Sequence, residues 1–167
     1  MSKPFKSWMS KLQGSEFKVM RLGECVPSNN VVLDNPEYVV RYLRENLSTS
    51  LAYKPDVENA IAIYLNVKRR PIGFEVVSNG SIDTLFIDVR TLFRGAIIAN
   101  AHAVIMAHNH PSGSASPSEA DIKVTRNLIT AGTLLRIELL DHIILGQPGV
   151  DSQKGYISLR ELGYFAA

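Results

Sequence analysis

The chain has 167 residues, 46% of them hydrophobic, with 18 basic and 16 acidic side chains and a formal charge of +2 at neutral pH. That length supports one core plus an arm, and so balanced a charge argues against a protein organised around nucleic-acid binding. The single cysteine, Cys25, excludes an intrachain disulfide and a multi-cysteine zinc site. With no apolar run near the ~20 residues of a membrane span and no apolar segment after the N-terminal lysines to act as a secretory signal, a reduced, cytoplasmic setting is expected.

Residues 1–34 read as an N-terminal arm. Phe5, Trp8, Met9 and Leu12 stand at i, i+3, i+4, i+7 with Lys3, Lys6 and Lys11 between them, a short amphipathic helix. Such a stripe packs on its own domain or touches a membrane surface or partner. Phe17 to Leu22 could form a short strand, and Cys25, a small buried hydrophobe, opens a turn-rich stretch.

The domain proper spans residues 35–167. Asn35-Pro36 starts a helix running to about Leu47, with Val39, Val40, Leu43 and Leu47 on its apolar face. Glu58 to Val67 is strand-like, Lys68-Arg69-Arg70-Pro71 turns the chain, and Ile72 to Val77 returns antiparallel. Ser78 to Gly80 reads as a turn or bulge, and Asp83 to Phe86 could add to the sheet. A helix over Asp88 to Asn100 leads to a buried strand, Ala103 to Ala107. A further helix runs from Ser118 to about Ala131, where Gly132 is expected to stop it. Leu134 to Leu145 holds one or two strands. The stretch after Gly155 reads as a short strand and a last helical turn. The sum is an α/β domain, a three-layer arrangement of a mixed β-sheet flanked by helices.

Chemistry concentrates in MAHNHPSGSASPSEAD, residues 106–121. His108 and His110, two apart on an extended chain, point to the same side. Asp121 lies in the first turn of the following helix. Two imidazoles and one carboxylate suit a single catalytic zinc ion with an open fourth position, which lowers the pKa of bound water to ~7 and polarises a carbonyl. Ser118, at the helix start, is the candidate donor to an oxyanion. Glu75, the one charge in the run Ile72 to Val77, is the candidate general base. Other roles stand beside these. Ser118-x-x-Asp121 also fits a helix capping box, and a ligating Asp121 is expected not to reach back to the cap. Glu75 could be a surface strand residue. His102 reads as a surface or satisfied histidine. His142, beside Asp141, could orient a ligand or be a buried structural histidine. Lys68-Arg69-Arg70 is a solvated turn or a phosphate-contacting patch.

The segment HNHPSGSASPSEAD resembles the JAMM (MPN+) metal motif, most closely its RadC-type version. YLNVKRRPIGFEVVSNG (64–80), LLDHIILG (139–146) and YISLRELG (156–163) resemble RadC segments as well. The resemblance covers roughly residues 35 to 165. It implies a cytidine-deaminase-like (JAB/MPN) fold and one zinc ion on His108, His110 and Asp121, with Ser118 stabilising the oxyanion and Glu75 as base. The implied activity is a metalloprotease-type hydrolysis of a peptide or isopeptide bond, on a protein or peptide substrate the sequence does not name. RadC-type proteins also carry a DNA-repair label, so a DNA-repair- or mobile-element-associated binding module with a structural or vestigial zinc is the alternative. The residues ahead of the domain do not resemble the helix-hairpin-helix region of longer RadC proteins, which weakens the DNA reading and fits shorter, mobile-element relatives. Nucleobase deamination is disfavoured, because its H-x-E and P-C-x-x-C signature is missing.

Overall fold

The computed structural model describes residues 31–80 and 87–166. The amphipathic stripe of residues 1–14, the Phe17–Leu22 strand, Cys25 and the Asp83–Phe86 segment all lie outside the described residues. Three helices and five strands follow in the order α1 (Pro36–Asn46), β1 (Asn59–Leu65), β2 (Pro71–Asn79), α2 (Val89–Ile98), β3 (Ala103–Asn109), α3 (Glu119–Leu135), β4 (Glu138–Leu145) and β5 (Tyr156–Ser158), with a 3-10 turn, Leu47–Thr49, after α1.

The strands form one mixed sheet in the order β2-β1-β3-β4-β5. The contacts β1–β2, β1–β3 and β4–β5 are antiparallel, and β3–β4 is parallel. A parallel neighbour needs a crossover, which α3 supplies. β1 and β3 are buried along their whole length, so they read as continuous apolar runs rather than alternating ones. Alternation still sorts their side chains. Ile61, Ile63, Leu65, Ile105 and Ala107 pack with α1 residues Val39, Val40 and Leu43 on one face. Ala60, Ala62, Tyr64, Val104 and Met106 pack with Leu92 and Phe93 of α2 and Leu128 of α3 on the other. This is the three-layer arrangement expected.

Local signals set most boundaries. The Asn35 side chain accepts the Glu37 N–H, with Pro36 in the first turn. Asp88 caps α2 in the same way. A register shift between Ala60 and Ile61 leaves Val77 as the extra residue of β2, a bulge. Two boundaries differ from expectation. β3 runs on through Asn109, so His108 stands inside the strand. α3 passes through Gly132 and ends at Arg136, whose φ of 55° is left-handed. Gly132 serves close packing instead: a Cβ there would lie 2.5 Å from the Ile137 carbonyl oxygen. Helix α3 therefore continues for another turn, with Leu134 and Leu135 exposed beyond the packed glycine.

Among the described residues no helix is long and apolar enough to cross a membrane.

Candidate metal centre

His108, His110 and Asp121 come together at the end of β3 and the start of α3, with one potential ligand atom from each lying within 4.8 Å of the others. The Nε2 atoms of the two histidines are 2.9 Å apart. Asp121 Oδ1 is 3.2 Å from His108 Nε2, and Oδ2 is 3.8 Å from His110 Nε2. His108 is fully buried, Asp121 nearly so, and His110 lies at the rim.

The outward hydrogen bonds fix what the facing nitrogens carry. His110 Nδ1 is 2.7 Å from the Ser114 carbonyl oxygen. A carbonyl only accepts, so Nδ1 holds a proton, and in the neutral ring Nε2 presents a lone pair. His108 is set by a longer chain. The Thr125 hydroxyl donates to the Asp121 carbonyl at 2.6 Å. Having one proton, it accepts from His142 Nδ1, also 2.6 Å away. His142 Nε2 then carries a lone pair and accepts from His108 Nδ1 at 2.8 Å. In the neutral ring this leaves the His108 Nε2 lone pair facing His110 and Asp121. His142 can play this part because it stays neutral: burial above all, and the neighbouring His108, hold its pKa well below the usual histidine value. Two lone pairs 2.9 Å apart repel unless a proton or a metal cation lies between or beside them, and two ring nitrogens with a carboxylate oxygen form a donor set that fits a metal ion. Of the two roles open to His142, the orienting one matches its contacts.

Asp121 shares both of its oxygens. Burial pushes its carboxyl pKa up, but His108 and the Ser118 hydroxyl and N–H outweigh that and hold it well below the usual carboxylate range. Oδ2 accepts the Ser118 N–H at 2.8 Å and the Ser118 hydroxyl at 2.6 Å, and Ser118 Oγ accepts the Asp121 N–H at 3.2 Å. The capping box is thus complete, and the expected conflict between capping and facing the metal site does not arise. One oxygen reaches back to the cap while the other faces His108.

Glu75 is not brought to this cluster. It pairs with Ala62, whose other neighbour is Met106, so it lies two strands from β3 and short of the His108 level. Its Oε2 accepts the Tyr64 hydroxyl at 2.9 Å. Both side chains fill the space over Gly95 of α2, where a Cβ would collide with them. That contact, with burial as the larger cause, pushes the Tyr64 phenol above its ordinary pKa. The carboxylate the register does carry to the histidines is Glu58. Ala60 pairs with His108, and the chain stays tied to the sheet one step earlier, where the Glu58 carbonyl accepts the Gly80 N–H at 2.8 Å. Alternation therefore sets Glu58 on the Ala60 and His108 face, level with His110. Asn109, between the two histidines and pointing to the opposite face, clips this segment. Its Oδ1 accepts the Asn59 N–H at 3.0 Å and an Asn59 Nδ2 proton at 2.9 Å, and its Nδ2 donates to the Val57 carbonyl at 3.0 Å. Glu58 is held from both sides. A charge just ahead of an apolar strand is the only sequence signal for it, and that signal is common.

A mixed sheet sandwiched by helices, with an HxH pair where a central strand ends and an aspartate in the first turn of the next helix, is the arrangement of a JAB-type domain. The model of the RadC-like JAB domain matches residues 33–164, and the chain belongs to that family. Among its relatives, a UPF0758 protein of Symbiobacterium thermophilum is 39% identical over 137 residues, covering 82% of this chain and 54% of that protein. One from Caldanaerobacter subterraneus subsp. tengcongensis is 37% identical over 145 residues, covering 87% and 58%. A UPF0758 protein of Methanococcoides burtonii is 32% identical over 166 residues, covering 96% of this chain and 70% of its own length. The chain thus spans little more than half the length of the first two.

Proposed function

We propose that this domain is a zinc-dependent hydrolase of peptide or isopeptide amide bonds, with one ion held by His108, His110 and Asp121. The observation that carries the reading is the approach of the His108 and His110 Nε2 atoms to 2.9 Å of each other beside a buried carboxylate. A bound zinc ion supplies Lewis acidity, polarising an amide carbonyl and lowering the pKa of water to ~7. The protein's own groups do the rest. The Thr125–His142 chain keeps the His108 proton on Nδ1 and the ring aligned. Glu58 acts as the base in place of Glu75, taking the proton of the attacking water and delivering it to the leaving nitrogen. Ser118 Oγ, now donating to Asp121 Oδ2, turns its proton to the carbonyl oxygen as charge builds there.

The test combines metal analysis with turnover on a panel of peptide and isopeptide substrates. Wild-type protein should carry one zinc, and His108→Ala none. Glu58→Gln should keep the metal and lose ~100-fold or more in rate, while Glu75→Gln keeps both. Absence of stoichiometric metal from the wild type would sink the reading. Full turnover by Glu58→Gln would remove Glu58 from it.

A further inference from the structure

The end of the sheet away from the metal centre holds a second polar concavity. β3 has seven residues, which places its two ends about 20 Å apart. A hollow of about 520 Å³ opens there, against the starts of β3 and β4. Four separate segments meet around it: the β1–β2 turn with Arg69, the residue before β3 with His102, the α3–β4 turn with Arg136, and the chain after β5 with Arg160. Glu138 is the one carboxylate on its wall. The same wall includes the apolar side chains of Ile129, Leu139 and Phe165.

Two features separate this from a solvated basic surface. Arg69 and Arg136 are two of the three described non-glycine residues at positive φ, 56° and 55°. Glycine or asparagine suits such positions better, so arginine stands there against backbone preference. No described residue pairs with either guanidinium, whereas Arg160 already donates to the Asp34 carbonyl at 3.3 Å and lies 3.8 Å from Asp141. Shape is the second feature. A polynucleotide backbone is met by a basic stripe along a face, whereas this is a hollow of small-molecule size, with an apolar wall and a cationic rim.

We propose that this hollow binds a phosphate-bearing organic anion of the nucleotide class. Arg69, Arg136 and Arg160 take the phosphates as forked donors, and Phe165 and the aliphatic wall take the base. The site is independent of the metal centre and does not rest on the hydrolase reading.

Calorimetric titration of the full chain with ADP, inorganic pyrophosphate and a short single-stranded oligonucleotide tests it. ADP should bind more tightly than pyrophosphate and weaken with added salt. Arg69→Gly and Arg136→Gly should each weaken ADP by about tenfold, and both should melt no lower than the wild type, since glycine suits the left-handed backbone. No ADP binding at millimolar concentration, or binding unchanged in the double variant, would overturn the site. Equal affinity for ADP and pyrophosphate would overturn the role of the apolar wall. Arginine-dependent binding of the oligonucleotide without ADP would replace the pocket by a polynucleotide surface.

Discussion

Truncating Asn109 to alanine tests how the sheet presents Glu58. The side chain makes three hydrogen bonds, to the Asn59 N–H, to Asn59 Nδ2 and to the Val57 carbonyl. They are not of equal weight. Asn59 Nδ2 keeps the Lys54 and Val57 carbonyls as acceptors, both at 2.7 Å, and the Val57 carbonyl keeps that Asn59 donor. The Asn59 N–H has no such reserve. Asn59 is fully buried, and without the Asn109 oxygen its amide is stranded, at a cost of about 1–3 kcal/mol. Loss of the two replaceable bonds adds about 1 kcal/mol, so Asn109→Ala should destabilise the fold by roughly 2–4 kcal/mol. For a chain of this length that lowers Tm by ~6–12 °C, readable by circular dichroism. His108, His110 and Asp121 are untouched, so the folded variant should still take up metal, and any turnover should fall because the Glu58 segment is released. A Tm within 2 °C of wild type would refute the clip. Loss of metal by a variant that melts normally would mean that Asn109 acts on the histidines and not on Glu58.

Three further outcomes follow from the packing and charge. Gly95→Ala should lower stability by about 1–3 kcal/mol even though alanine is the better helix former by ~1 kcal/mol, because the new Cβ collides with the Tyr64 hydroxyl and Glu75; a rise in Tm would show that this pair yields easily. Arg136→Gly should stabilise by about 1 kcal/mol through relief of the left-handed backbone, and a chemical denaturation curve with a lower midpoint would contradict it. In chelator-treated protein, Asp121 stabilises the fold at pH values above the ordinary carboxylate range, because its folded pKa is depressed. That contribution is lost as pH falls below about 4 toward the folded value, so Asp121→Ala should flatten the acid limb of the stability curve; parallel limbs would show that the depression is not a folding term.

The cluster of His108, His110 and Asp121 was legible in the chain because its members are close in sequence. His108 and His110 need only strand periodicity to face one way, and Asp121 needs only a helix start. The helix caps at Asn35 and Ser118 and the apolar strands were legible for the same reason: caps and periodicity are local, set by neighbours within a turn. Gly132 shows the limit of local reading. Its residue type is that of a helix stop, but the fold uses it where Ile137 returns against α3.

What only the tertiary structure decided is everything that depends on register between distant segments. Glu75 and Glu58 are both charges at or near apolar strands, and nothing local distinguishes them. The Ala60–His108 pairing brings Glu58 level with the histidines, and the Ala62–Glu75 pairing leaves Glu75 under α2. His142 reaches His108 because β3 and β4 pair in parallel with Met106 opposite His142, and Thr125 completes the proton chain from a third element. The arginines of the far hollow come from turns scattered from Arg69 to Arg160. Side-chain type and local spacing are properties of the chain, whereas cross-strand register is a property of the whole sheet. A one-residue slip of β1 against β3 would turn Glu58 away from the His108 face.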